Sequence, residues 1–211
     1  FYSETSLSLI KPWLAALEQE MRFYRKKFPL FDTLYVGGGT PTALDNDVFF
    51  DLFERVQQIF HFTPDAEITV EANPNDVNSS KLHVLKSCGV NRISLGVQSF
   101  NDRALLFLKR RHTVDEVEKS LELIREEGFN NVSFDLIYGI PGQTLAGWMK
   151  TLERAVSFHP QHLSCYQLTL SEETKLGKMQ KKGLIKLPGE TETEAFFVSM
   201  AEYLEGSGYL H

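Results

Sequence analysis

The apolar and polar residues of this chain alternate between a helical period and short runs typical of buried strands. Leu14, Leu17, Met21 and Tyr24 recur at close to helical spacing, which predicts a helix within residues 7–27. Apolar runs bounded by polar or glycine-rich residues predict strands after it. The predicted strands are residues 33–36, 67–72, 92–97, 132–137 and 162–168.

Each predicted strand is followed by a helical pattern with recognisable ends. Asp45 is placed to cap the helix that runs to Ile59, and Gly89 and Gly128 are placed to end two others. The predicted helices after the first are residues 45–59, 79–86, 102–108, 114–127, 144–158 and 191–205.

This alternation of strands and helices predicts an α/β fold with parallel βαβ units in one domain, residues 1–211. The loops that follow the strands carry the unusual residues, whereas the loops that enter the strands are plain. That asymmetry favours a barrel or partial barrel with its site at the carboxyl ends of the strands. A doubly wound open sheet stays open as an alternative, because strand order cannot be read from the pattern.

Composition and charge exclude some classes of protein. The chain has 42% apolar and 24% charged residues and a net charge of −6, which is typical of a globular protein and argues against a broad nucleic-acid surface. The basic run from Lys109 to His112 is too short to change that. No apolar stretch is long enough for a membrane span, so we expect a cytoplasmic protein. Cys88 and Cys165 lie far apart and form no metal-binding motif, so buried structural thiols are expected.

The glycine-rich segment Gly37-Gly38-Gly39-Thr40-Pro41 follows the first predicted strand. Three glycines leave the backbone N–H and C=O groups open to a ligand, and the proline restricts the loop. A P-loop would need a lysine that is absent here, and the G-x-G-x-x-G spacing also fails. The segment therefore predicts a small-molecule loop that matches neither common phosphate signature.

Polar residues stand at or just beyond the ends of five predicted strands, as in a ligand site at one rim. They are Thr40, Glu71, Gln98, Asp135 and Thr169. Asp135 interrupts an apolar strand, which is costly unless the carboxylate is paired or bound, so a functional role is favoured there. Glu71 could equally cap a turn or form an ion pair, and Gln98 could satisfy loop backbone. Arg110 and His112 read as surface residues on sequence alone.

Taken in order, several motifs resemble the radical S-adenosylmethionine (SAM) family of oxygen-independent coproporphyrinogen III oxidase and its haem-chaperone relatives, the HemW branch. The resemblance covers almost all 211 residues, and the forms of the motifs favour the HemW branch. The motifs are the glycine loop, Glu71-Ala72-Asn73-Pro74, the run from Asn91 to Phe100, Arg110 to His112, the run from Asp135 to Thr144, and the run from Ser164 to Thr169.

The resemblance implies a partial (β/α)6 barrel that holds SAM and a [4Fe–4S] cluster. It places Gly38, Gly39 and Thr40 at the methionine end of SAM, with Arg110 suited to a carboxylate. The other implied SAM contacts are Glu71, Gln98, Asp135 and a backbone contact at Thr169. Haem or a porphyrinogen, a haem-acceptor protein and an electron donor are the implied partners, without nucleic acid or a membrane span.

One departure from the family pattern concerns the cluster, which the family holds with three cysteines in C-x-x-x-C-x-x-C. That motif is absent from these 211 residues. In relatives of this type Asp-Phe follows the last cysteine, so Phe1-Tyr2-Ser3 predicts that the motif and the first barrel strand precede this chain. No metal ligand is therefore assigned within it.

Three functional hypotheses follow from these residues. The first is a radical SAM enzyme that decarboxylates the propionates of a porphyrinogen through a 5′-deoxyadenosyl radical. The second is a haem chaperone on the same scaffold, which the HemW-like motifs favour. The third is a barrel that binds a nucleotide-like ligand without catalysis.

Overall fold

The computed structural model describes residues 7–210. Eight helices and five strands alternate along this part of the chain. The helices are α1 Ile10–Tyr24, α2 Asn46–Ile59, α3 Ser79–Ser87, α4 Asp102–Phe107, α5 Val114–Glu126, α6 Leu145–Ser157, α7 Lys175–Lys181 and α8 Glu190–Gly206. The strands are β1 Phe31–Val36, β2 Phe62–Ala72, β3 Arg92–Gln98, β4 Asn131–Tyr138 and β5 His162–Gln167.

The five strands form one sheet in the order β1-β2-β3-β4-β5. Parallel pairing joins β1 to β2, β2 to β3, and β4 to β5. A doubly wound sheet reverses its strand order at a switch point, whereas a (β/α) barrel keeps the order of the sequence. The sequential order therefore confirms the α/β prediction and decides against the doubly wound alternative.

The chain divides into two compact units, and each has its own core. The first unit contains the described residues up to 95 together with 118–132, and in it Phe49 and Phe53 stack with ring centroids 4.8 Å apart. The second contains residues 96–117 and 133–210. There Trp148 is fully buried beside Tyr138, with ring centroids 5.6 Å apart.

Helix ends show which sequence predictions were right. Gly89 and Gly128 have φ of +85° and +77° directly beyond α3 and α5, so the predicted glycine stops are confirmed. Asp45 does stand at the N-cap of α2, but its side chain makes no capping hydrogen bond. At two other helices the N-cap side chain does make this bond: Asn78 caps α3 and Thr144 caps α6 through side-chain oxygens. Helix α7 was not predicted, since its seven residues include a glycine and show little amphipathic pattern.

Gly37 sits where the carboxyl end of β1 meets the end of β2. The pairing places Val36 opposite Val70, so the next residues, Gly37 and Glu71, lie side by side. A Cβ at Gly37 would lie 2.9 Å from Glu71 Oε1 and 3.0 Å from Tyr35 Cε1. A larger residue at Gly37 would therefore have to displace the side chain of Glu71 or Tyr35.

We expect Gly37→Ala to destabilise the protein by about 1–3 kcal/mol, because the new methyl group must displace Glu71 or Tyr35. The matched control is Gly39→Ala, where a Cβ would meet no atom within 4 Å. Urea unfolding of both variants measures the difference. Equal midpoints for Gly37→Ala and the unmodified protein would contradict the packing argument.

Candidate functional site

In the first unit, Glu71 fixes the glycine loop through both of its carboxylate oxygens. The backbone N–H of Gly38 donates to Glu71 Oε2 at 3.2 Å, and the Tyr35 hydroxyl donates to Oε1 at 3.0 Å. The structure therefore supports the turn-capping alternative for Glu71. A carboxylate has about four acceptor positions, so the same side chain can also accept hydrogen bonds from a ligand.

Thr40 is held at the other end of the loop. Its hydroxyl donates to the carbonyl of Gly39 at 2.7 Å and accepts from Asn73 Nδ2 at 2.9 Å. Asn73 was part of a quoted motif but was not predicted to act on the loop. Its amide links the loop after β1 to the loop after β2, so the two loops are ordered together.

The segment after the loop is anchored by Lys81, a buried residue of α3 that is 6% exposed. Its ammonium donates to the carbonyl of Leu44 and lies 5.8 Å from the ring centroid of Phe49. Burial lowers the pKa of Lys81, while the charges of Asp45 and Asp76 oppose that decrease. Lys81 therefore positions backbone near the loop, a role that sequence reasoning missed.

The middle of the loop is open. Gly38 has φ +130°, a conformation that side chains rarely adopt, and a Cβ at Gly38 or Gly39 would meet no atom within 4 Å. The predicted residues Gly38, Gly39, Thr40 and Glu71 are thus brought together, as expected for a ligand loop at the end of a strand.

In the second unit, Gln98 ends β3 in a left-handed conformation with φ +66°. Such backbone is uncommon outside glycine and is concentrated at functional sites. The residue is only 7% exposed, and its side chain makes no hydrogen bond with the part of the chain that is described. Its amide therefore remains able to bind a ligand.

His112 holds the backbone just before Gln98. Its Nε2 lies 3.2 Å from the carbonyl oxygen of Val97, which also accepts from the N–H of Ser99 at 2.8 Å. A carbonyl can only accept, so Nε2 carries the hydrogen. His112 is 4% exposed, so the surface placement inferred from sequence was wrong. Burial lowers the pKa of His112, which favours the neutral ring.

Arg110 is placed by the end of α4. The N–H of Lys109 donates to Leu106 and that of Arg110 to Leu105, which is a Schellman ending with Lys109 at φ +55°. Arg110 is half-buried, so the interpretation as plain surface charge was wrong. Burial lowers its pKa, and the nearby charge of Asp135 opposes the decrease. The opposite charges of the two side chains therefore interact electrostatically.

Asp135 and Cys165 lie on the paired strands β4 and β5. Asp135 is half-buried and stands opposite Ser164 in the register, one position before the pair Leu136 and Cys165. Burial, and then the charge of Asp135, raise the pKa of Cys165 to about 12. The thiol is consequently protonated at neutral pH and is a poor nucleophile or metal ligand. The expectation of buried thiols is confirmed for Cys88, whereas Cys165 is only half-buried.

Thr169 follows the last strand of the sheet. It is exposed and lies two residues beyond the end of β5. Its neighbour Leu168 donates its N–H to the carbonyl of Tyr138 at 2.8 Å. No hydrogen bond joins the Thr169 side chain to the other predicted site residues within residues 7–210.

Two properties of residues 7–210 bear on cofactors and membranes. No three His, Cys, Asp or Glu side chains in this range are grouped to hold a metal ion. None of the helices described has both the length and the apolar character needed to cross a bilayer.

Known proteins are similar to this chain in sequence and in fold. The family model for the Radical SAM superfamily matches residues 10–155. The heme chaperone HemW of Bacillus subtilis (strain 168) is 38% identical over 197 residues, covering 92% of this chain and 52% of the relative. The heme chaperone HemW of Synechocystis sp. is 32% identical over 211 residues, covering 100% of this chain and 51% of the relative. The chain spans about half the length of the curated relatives it matches.

A solved structure of a radical SAM enzyme has a similar fold. Coproporphyrinogen III oxidase (HemN) from Escherichia coli, described as a radical SAM enzyme, superposes with a TM-score of 0.83 at 31% identity. The match covers 98% of this chain and 48% of that chain. The prediction of a radical SAM type of α/β fold is therefore confirmed, and the chain belongs to the radical SAM superfamily.

Proposed function

We propose that this chain is the SAM-binding part of a HemW-type haem chaperone that acts in haem metabolism in the cytoplasm. The observation that carries the proposal is the open glycine loop held by Glu71 in a chain whose curated relatives are haem chaperones. We further propose that residues 1–211 are part of a single barrel domain.

The chemistry of SAM fits the residues of the first unit. SAM carries an ammonium group, a carboxylate, two ribose hydroxyls and an adenine. Gly38 and Gly39 offer backbone without side chains, which suits close approach of the methionine end. Glu71, half-buried and already fixed by Tyr35, can accept from the ammonium or a ribose hydroxyl. Thr40 would shape the loop around that end.

The residues of the second unit, taken by themselves, also carry groups that suit the chemistry of SAM. Arg110 has a forked, permanently charged donor set that suits the SAM carboxylate. Asp135 can accept from hydroxyl or ammonium groups, and the buried amide of Gln98 can both donate and accept. Thr169 would contribute a backbone contact. All of these assignments are part of the proposal.

The described residues do not provide ligands for a [4Fe–4S] cluster. When bound in such a protein, the cluster supplies an electron to the SAM sulfonium. The residues of this chain would bind SAM, orient its methionine end and exclude water from it.

A second candidate function is oxygen-independent coproporphyrinogen III oxidation. The likeness to HemN, at 31% identity and a TM-score of 0.83, favours it. A barrel that binds a nucleotide-like ligand without catalysis is the third candidate, and the absence of a cysteine motif from these residues is its only support.

We expect Arg110→Lys to weaken SAM binding by about tenfold to a hundredfold, because an ammonium cannot make the paired hydrogen bonds of a guanidinium. The measurement is equilibrium binding of SAM to the full-length, cluster-reconstituted protein. Arg103→Lys is the matched control, since Arg103 is an exposed residue of α4. Equal SAM affinities for the two variants would show that Arg110 does not contact SAM.

We expect the full-length protein to bind haem stoichiometrically and pass it to a haem-depleted acceptor protein, with no vinyl product from coproporphyrinogen. Titration of haem by absorbance measures binding, and product analysis with SAM and a reductant measures decarboxylation. If the haem absorption band does not change when the protein is titrated with haem, that result would contradict the chaperone proposal. Formation of the vinyl product would establish the oxidase, and SAM binding without either activity would leave the third candidate.

A further inference from the structure

Tyr35 lies on β1, on the face of the strand that points away from the apolar core of the first unit. Its neighbours Leu34 and Val36 pack against the buried side chains of α1 and α2. Because side chains alternate along a strand, Tyr35 points to the other face of the sheet. The residue is 55% exposed. Burial in the core therefore does not explain a tyrosine at this position, directly before the glycine loop.

The same face of the neighbouring strand β2 carries two carboxylates. Glu67 and Glu71 are four positions apart, so their side chains leave the sheet on the same side. Thr69, midway between them, is the register partner of Tyr35. Tyr35 therefore shares this face with both carboxylates, and its hydroxyl donates to Glu71 Oε1 at 3.0 Å.

The two carboxylates differ in how their charges are balanced. Glu67 forms an ion pair with Arg92, with 2.8 Å between Oε1 and Nη1. Glu71 forms no ion pair with residues 7–210, and its two donors, the Tyr35 hydroxyl and the Gly38 N–H, are both neutral. A half-buried carboxylate without a cation is costly. Glu71, beside the open loop, is therefore suited to a cation that a ligand supplies.

Two neutral donors hold the carboxylate of Glu71 in one orientation. The terminal torsion of a glutamate side chain has broad minima, so a carboxylate without such donors rotates easily. Tyr35 holds Oε1 and Gly38 holds Oε2. Each oxygen keeps a second acceptor position for a ligand. The Gly38 donor belongs to the loop backbone, so the Tyr35 hydroxyl is the donor that a substitution can remove without changing the loop.

We propose that Tyr35 is a positioning residue, which holds the Glu71 carboxylate so that it receives the ammonium group of SAM. This inference rests on the proposed function, since it takes SAM as the ligand of the glycine loop. A ribose hydroxyl is neutral and would leave the charge of Glu71 unbalanced. The ammonium group balances that charge and donates charge-assisted hydrogen bonds as well. Tyr35 acts through Glu71 and needs no contact with SAM.

The test compares two ligands that bind to the full-length, cluster-reconstituted protein and to its Tyr35→Phe variant. SAM carries the ammonium group, whereas 5′-methylthioadenosine keeps the adenosine and lacks the amino-acid end. Phenylalanine keeps the ring beside Gly37 and removes only the hydroxyl. We expect Tyr35→Phe to weaken SAM binding by about threefold to tenfold, because a hydrogen bond that orients a partly exposed, charged acceptor is lost. Its affinity for methylthioadenosine should not change.

A second measurement asks whether Tyr35 acts through Glu71. Glu71→Gln removes the charge and keeps the size of the side chain. In the Glu71→Gln background, Tyr35→Phe should change SAM affinity by less than about twofold, since two residues that act together have non-additive effects. A fully additive loss in the double variant would overturn the proposal, because Tyr35 would then act on SAM without the carboxylate.

The matched control is Tyr24→Phe, which removes the hydroxyl of another exposed tyrosine, at the end of α1. This control should bind both ligands as the unmodified protein does. Urea unfolding of Tyr35→Phe should give nearly the midpoint of the unmodified protein, since the lost hydrogen bond joins partly exposed groups. Equal losses of affinity for both ligands, together with a lower midpoint, would show a general structural role and overturn the proposal.

The outcomes separate this inference from the proposed function. If the unmodified protein binds no SAM, both are overturned. If SAM binds equally to Tyr35→Phe and to the unmodified protein, the proposed function stands and the role of Tyr35 is overturned. A loss confined to SAM, seen in Tyr35→Phe and absent from Tyr24→Phe, supports the positioning role.

Discussion

The register between β1 and β2 is the constraint on which the glycine loop of the first unit depends. It pairs Val36 with Val70, so that the glycine loop begins beside Glu71. A slip of one residue would turn Glu71 to the opposite face of the sheet and remove the acceptor for the N–H of Gly38. Gly37 suits this arrangement, since a Cβ there would lie 2.9 Å from Glu71 Oε1 and the carboxylate would have to shift. The sheet pairing therefore determines both the shape of the loop and the position of its charged acceptor, Glu71.

In the second unit, the side chain of His112 fixes the backbone next to a candidate site residue, Gln98. Gln98 has an unfavourable left-handed backbone, and such strain persists only where surrounding contacts fix it. The carbonyl of Val97, one residue earlier, is held by both His112 and Ser99. Neutral His112 suits a buried position better than an imidazolium would, which agrees with the lowered pKa that burial causes. A hydrogen bond from His112, in the loop after α4, thus helps to fix the backbone that leads into Gln98.

A feature of the fold or of the candidate site could be predicted from the sequence where it depends on residues close by in the chain. Periodicity and glycine stops gave the strands and most helices, because both act within a few residues. The role of Asn73 depends on Thr40, 33 positions away, and burial of His112 depends on Val97, 15 positions away, so neither follows from its own neighbours. Arg110 was misread for the same reason, since a Schellman ending with lysine in place of glycine carries no sequence signal.

The two ends of the strands are specialised for different tasks. In folds of this class the carboxyl ends carry ligand sites, while the amino ends contribute stability. A turn at an amino end that served stability alone would bury its aromatic rings, because each buried ring adds apolar contact. At the turn between α1 and β1, Phe23 and Phe28 instead remain exposed near Arg25, Lys26 and Lys27, which form no ion pair with the described residues. Exposed apolar side chains with one sign of charge are typical of a surface that meets a partner.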